Sequence, residues 1–393
     1  MTRETPAQRD PLSQAADVNA AGALNADVAR RLALELFIVG YEGTSLPAAY
    51  ADWLEEGLGG VILFKRNLEF DAQGAIDTAA LAAQTEAIFA ASERCPWLPA
   101  PIFCAVDQEG GLVARLRKPF TELPPMRKLG ELGDKALIAA VGRQLGRECL
   151  AAGFNLDFTP VLDVDTNPQN PIIGNRSFSR DAAQVAELAG VLLDALQAEG
   201  VLGCGKHFPG HGDTNADSHL ELPVLSHDLQ RLKAVELLPF AQLASRLPMV
   251  MTAHVLFPAL DPLWPATVSP RILRPLLRDY CGFDGVIVSD DLEMHGIAQV
   301  LEPADAVRRG IEAGCDCFLV CKRRDTLESA LAGATDVLLG KDGAEQRQRA
   351  LASVERVRRL RARLVRPRPT AAGIAAVLSA PETQQLRAAL GRL

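Results

Sequence analysis

The chain has 393 residues, of which 48% are hydrophobic and 23% charged, and its net charge is −8. That size suits one large α/β barrel or two ordinary domains, and the hydrophobic content supports a filled core rather than global disorder. The acidic balance argues against a nucleic-acid partner, and no run of 18 apolar residues offers a membrane-spanning helix.

In chain order, Met1 to Ala21 is polar and Ala-rich, with no apolar segment behind a basic start. No signal peptide is expected there, and residues 1–30 read as an N-terminal extension with a poorly structured start. Short apolar runs then recur at Leu34–Val39, Gly60–Phe64, Pro101–Val106, Asn155–Leu162, Gly200–Phe208, Pro248–Ala253, Gly285–Ser289 and Asp316–Val320. Several are continuously apolar, as strands buried on both faces should be. Between them the spacing predicts helices over Asp77–Ser92, Lys135–Ala152, Ala182–Glu199, Leu229–Ser245, Ile272–Tyr280 and Ala304–Ala313. Eight strands alternating with helices predict a (β/α)8 TIM-type barrel over residues 31–340. An open doubly wound sheet is the alternative. It would carry a glycine-rich phosphate fingerprint after the first strand, and Gly40-Tyr41-Glu42-Gly43 is not one.

Beyond the eighth strand, Thr326–Leu339 and Ala344–Leu364 read as helices, the second with a solvated face because it mixes Arg and Glu. Pro367-Arg368-Pro369 breaks the chain, and Thr370–Leu393 reads as one or two short helices, so residues 341–393 form a helical C-terminal extension. Most of the eight cysteines sit in apolar runs, which fits buried free thiols in a reducing cytosol. Cys315, Cys317 and Cys321 look like strand packing rather than zinc ligands.

Polar residues follow the strands. They are Lys65-Arg66-Asn67, Asp107-Gln108-Glu109-Gly110-Gly111, Asp163 with Asn175-Arg176, Lys206-His207, His254 and Asp290-Asp291. Each alone has a structural explanation: Asp163 or Asn175 can cap a turn, and Arg66 can form a surface ion pair. In a barrel all these ends meet on one face. The stretch Lys206–His219 is the densest, holding three of the six histidines, two aspartates and a lysine. A strand ending in a polar loop, with Gly210 and Gly212 for backbone freedom, suits acid–base chemistry. A metal held by His207, His211, His219 and Asp217 is conceivable. Lys206 disfavours it, and the Pro-Gly-His-Gly loop is too mobile for a preformed site, so no metal or organic cofactor is expected. No serine elbow, Cys–His pair or phosphate loop is evident.

Glycoside hydrolysis fits best, because it needs one carboxylate beside the anomeric carbon and one proton donor for the leaving oxygen. Asp290 ends an apolar run and is followed by Asp291, so one can face the pocket while the other is held by backbone. His219 titrates near neutrality, and Asp217 can orient it. The loop around Asn175 and Arg176, with Lys206 and His207, offers several donors for carbonyl and hydroxyl oxygens on one side of a sugar ring.

The motifs Lys206-His207-Phe208-Pro209-Gly210-His211-Gly212, Asp217-Ser218-His219, Asp107-Gln108-Glu109-Gly110-Gly111, Gly174-Asn175-Arg176 and Ser289-Asp290-Asp291-Leu292-Glu293-Met294 resemble glycoside hydrolase family 3, specifically its β-N-acetylglucosaminidases. The resemblance covers roughly Leu34 to Val320. It implies Asp290 as nucleophile, His219 as acid/base with Asp217 as its partner, and Asp107 on sugar hydroxyls. It implies Arg115, Arg176, Lys206 and His207 as further sugar contacts. Leu112 departs from the family, which often has Arg there, and that bears on fine specificity. The implied activity is release, with retention, of N-acetylglucosamine from 1,6-anhydro-muropeptides by a cytoplasmic, monomeric enzyme of cell-wall recycling. Alternatives are a phosphorylase using the same dyad, a β-glucosidase and a non-catalytic sugar-binding barrel. Larger glucosidases of the family use a second domain, and a binding barrel would have lost Asp290 or His219.

Overall fold

The structure, a computed structural model, describes residues 10–18, 24–98, 100–218 and 220–393. Among these the strands are β1 (Phe37–Val39), β2 (Gly60–Leu63), β3 (Phe103–Val106), β4 (Gln108–Gly110), β5 (Val113–Ala114), β6 (Leu156–Asp157), β7 (Leu202–Phe208), β8 (Met249–Thr252), β9 (Val286–Asp291) and β10 (Cys317–Val320). All but β4 and β5 run parallel and close a barrel in the order β1-β10-β9-β8-β7-β6-β3-β2. Pairing of β1 with both β2 and β10 completes the ring and excludes the open sheet. The strands are continuously apolar because helices cover their outer face and side chains fill the lumen. Phe103, Cys104, Ala105 and Val106 of β3 are all fully buried.

The differences from the sequence pattern have local causes. The run Leu34–Val39 is the end of a helix followed by a strand. Asn25 caps the helix Ala26–Leu34 by accepting the Asp27 N–H, and Val28, Ala29, Leu32 and Ala33 face the core. This helix crosses the expected boundary at residue 31. The fourth barrel strand stops at Asp157 rather than running to Leu162, since Pro160 has no N–H to give a neighbour. The single helix expected over Leu229–Ser245 is two, Leu229–Ala234 and Leu238–Leu243. Pro239 cannot donate to the carbonyl of residue 235, so the first helix ends there. The hairpin β4–β5 had no alternating pattern to announce it. It turns at Gly110 and Gly111, both with positive φ, 106° and 57°.

At the N-terminal mouth of the barrel, buried carboxylates decide the packing. Glu35 lies just before β1 and is fully buried. Arg358 grips it with two bonds of 2.8 and 2.6 Å, and Arg361 adds a third at 3.4 Å. Arg361 also donates to the carbonyls of Ala100 and Pro101, ahead of β3. Asp316, ahead of β10, accepts from Ser353, Arg356 and Arg278 at 2.7–2.8 Å. The helix Ala344–Arg361 therefore turns Arg356, Arg358 and Arg361 toward the barrel, where a solvated face was expected. The reason is that Glu35 and Asp316, without cations, would be unpaired charges out of water.

All eight cysteines are buried and free, and no helix among the described residues is long and apolar enough to cross a membrane. Glu35→Ala removes the partner of Arg361, which is 1% exposed. Such a variant should lose about 3–5 kcal/mol in urea unfolding, whereas Glu35→Leu combined with Arg361→Met should lose much less. An unchanged midpoint for the single variant would contradict this account.

Candidate active site

The C-terminal ends of the strands surround a cavity of about 500 Å³. Asp107, Arg115, Arg176, Lys206, His207 and Asp290 all line it, as the strand-end argument requires. Asn175 does not line it. It sits mid-turn in Gly174–Arg176 with its side chain exposed. Neighbours on so tight a turn diverge by about 120°, so Arg176 enters the cavity while Asn175 faces water. Asp217 is half-buried and outside the lining, and the next residue, Ser218, belongs to it. His219 lies outside the described residues.

One wall is built around Lys206, whose side chain is 3% exposed. Asp107 directly follows β3, and Glu109, two residues on, faces the same side. The Lys206 ammonium reaches Asp107 at 3.0 Å and Glu109 at 2.6 Å. Arg176 grips Glu109 through two bonds of 2.8 Å each, and Arg115 reaches Asp107 at 3.3 Å. Burial opposes charge on Glu109, yet Arg176 and Lys206 hold it well below the usual carboxylate range. Burial likewise opposes Asp107, and Lys206 with Arg115 holds it down. Burial also works against the charge of Lys206, and Glu109 and Asp107 more than offset it. These groups stay ionised, and the wall presents both donors and acceptors.

Gln108, between the two carboxylates, faces the other way and is buried. Its carbonyl accepts the N–H groups of Arg115 and Leu116 at 2.7 and 2.8 Å, and its amide donates to the Leu116 carbonyl. This side chain clamps β4 to β5 and fixes where Arg115 leaves the backbone.

The second wall hangs from Asp163, which lies beyond the end of β6 and is fully buried. It takes the His207 ring at 2.6 Å and the backbone N–H of His211 at 2.6 Å. Burial opposes its charge, and His207 holds its pKa below the usual range. The peptide between Lys206 and His207 is cis. His211 is buried too, its ring meeting Thr214 at 2.8 Å and Ser218 at 3.0 Å. Burial, reinforced by His207, lowers its pKa to about 4, so it is neutral at pH 7. The glycine at 212 serves close approach rather than mobility: a Cβ there would sit 1.9 Å from the Val164 carbonyl oxygen.

The floor is the end of β9. Asp290 accepts the N–H of Asp291 at 2.8 Å, and among the described residues nothing bonds its second oxygen. Asp291 is held by backbone, accepting from Glu293 and Cys321 at 3.1 Å each. Burial, reinforced by Glu293, raises its pKa to about 7. His254 props this end, its ring meeting the Asp291 carbonyl at 3.0 Å and Thr267 at 2.8 Å. A free carboxylate facing a wall of donors and acceptors is suited to a hydroxyl-rich ligand and to attack at its reactive carbon. Among the described residues no three His, Cys, Asp or Glu side chains group as a metal site.

A closed parallel barrel with this pocket at its C-terminal face defines an enzyme of the sugar-cleaving kind. Residues 43–360 match the Glycosyl hydrolase family 3 N terminal domain. The chain is 41% identical over 318 residues to a β-hexosaminidase of Bordetella parapertussis, covering 79% of this chain and 83% of that one. It is 40% identical over 276 residues to one from Pseudomonas aeruginosa, covering 70% and 78%. Among solved structures it superposes on a family 3 β-N-acetylglucosaminidase from a Paenibacillus species with a TM-score of 0.81 and 33% identity, over 92% of this chain and 68% of that one. It also superposes on NagZ from Neisseria gonorrhoeae in complex with N-trifluoroacetyl-D-glucosamine, with a TM-score of 0.71 and 34% identity, over 91% and 97%. The chain belongs to glycoside hydrolase family 3 and is a glycoside hydrolase of its β-hexosaminidase group.

Sequence reasoning named Gln108 and Glu109 only within a strand-end motif and His211 only as a conceivable metal ligand, and gave none of them a part in sugar binding. One clue was available for Glu109: two carboxylates at spacing two, facing one buried lysine, demand a second cation. Asp163, grouped with the strand-end polar residues and with a turn cap as its alternative, stands behind the cavity lining and anchors His207. Asp163→Ala should lower kcat/KM about 10–100-fold, by freeing the His207 ring, as loss of a side chain that orients a working ligand does elsewhere. Because its folded pKa is depressed, Asp163 stabilises the wild type above its unfolded value near 4, and that support is lost as pH falls through the lower folded value. The melting-temperature gap between wild type and variant should therefore narrow below about pH 4. A gap constant with pH would contradict the pairing.

Proposed function

We propose that the chain hydrolyses terminal β-linked N-acetylglucosaminides with retention of configuration, Asp290 acting as nucleophile and His219 with Asp217 as acid/base. The observation that carries this reading is the second carboxylate oxygen of Asp290, which has no partner among the described residues and lies on the floor of a pocket lined by Asp107, Arg115, Arg176, Lys206 and His207. Attack by this carboxylate forms a glycosyl–enzyme as His219 protonates the leaving oxygen. The same histidine then takes a proton from water, which displaces the carboxylate. Asp217, half-buried in the loop after β7, orients the imidazole and favours its charged form. The role of His219 rests on the Asp217-Ser218-His219 sequence and on family membership.

The sugar assignment draws support from the β-hexosaminidase relatives and from the 2-acylamido sugar bound to the Neisseria protein. A site that hydrogen-bonds an amide rejects the analogue lacking it more strongly than an apolar pocket rejects a missing methylene. The natural substrate is proposed to be an N-acetylglucosaminyl-1,6-anhydro-muropeptide of turned-over peptidoglycan, cleaved in the cytoplasm. Phosphorolysis by the same dyad is the second reading, and comparing products with and without phosphate separates the two.

Asp290→Ala should lower turnover by several orders of magnitude while N-acetylglucosamine still binds, and a fluoro-sugar inactivator should label Asp290. Label on Asp291 or Asp163 would overturn the assignment. His219→Ala should lose about 10²–10⁴-fold on substrates with poor leaving groups and much less on activated aryl glycosides at the glycosylation step. Equal losses across the leaving-group series would remove His219 from the acid role. Comparable kcat/KM on aryl β-glucoside and aryl β-N-acetylglucosaminide would overturn the choice of sugar.

A further inference from the structure

One carboxyl group stands behind the sugar-facing wall without touching the cavity. Asp157 ends β6 and is fully buried. One of its oxygens accepts the backbone N–H of Gln108 at 2.9 Å. Its other oxygen is buried with no hydrogen-bond partner among the described residues. Gln108 is the residue whose side chain clamps β4 to β5. Asp107 and Glu109 flank it, and Arg115 is tied to it through its own N–H. Asp157 thus holds the backbone from which three charged groups of the pocket are presented.

We propose that Asp157 is a positioning residue for sugar binding, setting through Gln108 where Asp107, Glu109 and Arg115 meet the sugar. The inference rests on the glycosidase reading above. It explains why an acid sits where only one donor reaches it. Asp107 and Glu109 face it from the β3–β4 segment, Lys206 and Cys204 from β7, and Cys149 from the helix Lys135–Ala152. Burial, reinforced by Asp107 and Glu109 and opposed by the Gln108 N–H and Lys206, raises its pKa to about 8. At neutral pH it is an uncharged acid, and Lys206 is left to Asp107 and Glu109. Ionisation adds a third carboxylate that competes for Lys206 and draws it away from the sugar wall.

Between the unfolded value near 4 and the folded value near 8, the native state holds a proton that the unfolded chain releases. Stability therefore falls as pH rises through that window. Sugar affinity is present below the upper limit and lost above it.

The test is calorimetric titration of the full chain with N-acetylglucosamine from about pH 6 to about pH 9.5. Wild type should bind progressively more weakly above about pH 8. Asp157→Asn keeps an acceptor for Gln108 and cannot ionise, so its affinity should match the neutral-pH wild type and stay flat. Its melting temperature should gain on wild type as pH rises from about 4 to about 8. Asp157→Leu should bind about 10-fold more weakly, or worse, at every pH. An alkaline weakening of Asp157→Asn equal to that of wild type, or wild-type affinity in Asp157→Leu, overturns the proposal. If Asp157→Leu does not fold, the Asn variant alone decides. No binding by wild type at any pH overturns the proposed N-acetylglucosamine specificity and this inference with it, whereas binding with a flat wild-type profile overturns this inference alone.

Discussion

Charge removed from water at the mouth of a closed barrel must be matched, and here the match is one buried ammonium shared by two carboxylates. Lys206 reaches into the space between Asp107 and Glu109 because β7 and β3 run on either side of β6. Neither carboxylate could stay ionised there alone, since burial by itself pushes both upward. Arg176 and Arg115 complete the match from a loop and a hairpin outside the barrel. This cavity wall is therefore a set of fixed, ionised groups. Such a set is worth more to a hydroxyl-rich ligand than the same groups swinging in solvent, because their orientation is settled before binding.

The same rule closes the opposite face. Glu35 and Asp316 stand ahead of β1 and β10, where the ring is completed, and neither can be solvated. Their cations come from far along the chain, at Arg356, Arg358 and Arg361. The helix that supplies them adds these charge pairs to an apolar stripe of Ala350, Leu351, Val354, Val357 and Leu360. At this face the paired charges shut the lumen, and at the other they leave room for a ligand. The open face carries the hairpin, the Gly174–Arg176 turn and the loop after β7 among its connections.

The barrel was legible in the sequence because its strands are buried on both faces, which leaves a continuous apolar run that few other contexts produce. Strand ends were equally legible, since polar residues directly after such runs have one place to go. What escaped was set by tertiary context. Leu34 belongs to a helix because Asn25 caps it, and a run of apolar residues alone cannot tell that turn from a strand. The hairpin β4–β5 is two and three residues long and depends on Gln108 bonding across itself, which no periodicity encodes. Arg356, Arg358 and Arg361 looked like a solvated face because their partners, Glu35 and Asp316, lie 40 residues or more away. Asn175 was grouped with Arg176 by adjacency, and a tight turn sends adjacent side chains apart.

The loop after β7 is tied to the cavity wall through buried side chains. Thr214 Oγ1 lies 2.8 Å from Nδ1 of the His211 ring and 3.1 Å from the His211 carbonyl, and Ser218 Oγ lies 3.0 Å from Nε2. A neutral imidazole has one N–H and one acceptor nitrogen, so one of these two hydroxyls donates to the ring and the other accepts from it. The His211 backbone is in turn anchored on Asp163, the residue that also holds His207. Ser218 separates Asp217 from His219 in the sequence, so one buried carboxylate sets both the His207 ring in the cavity wall and the stem of the loop that carries the proposed acid/base. Asp290 is held separately, by β9 and the backbone of Asp291.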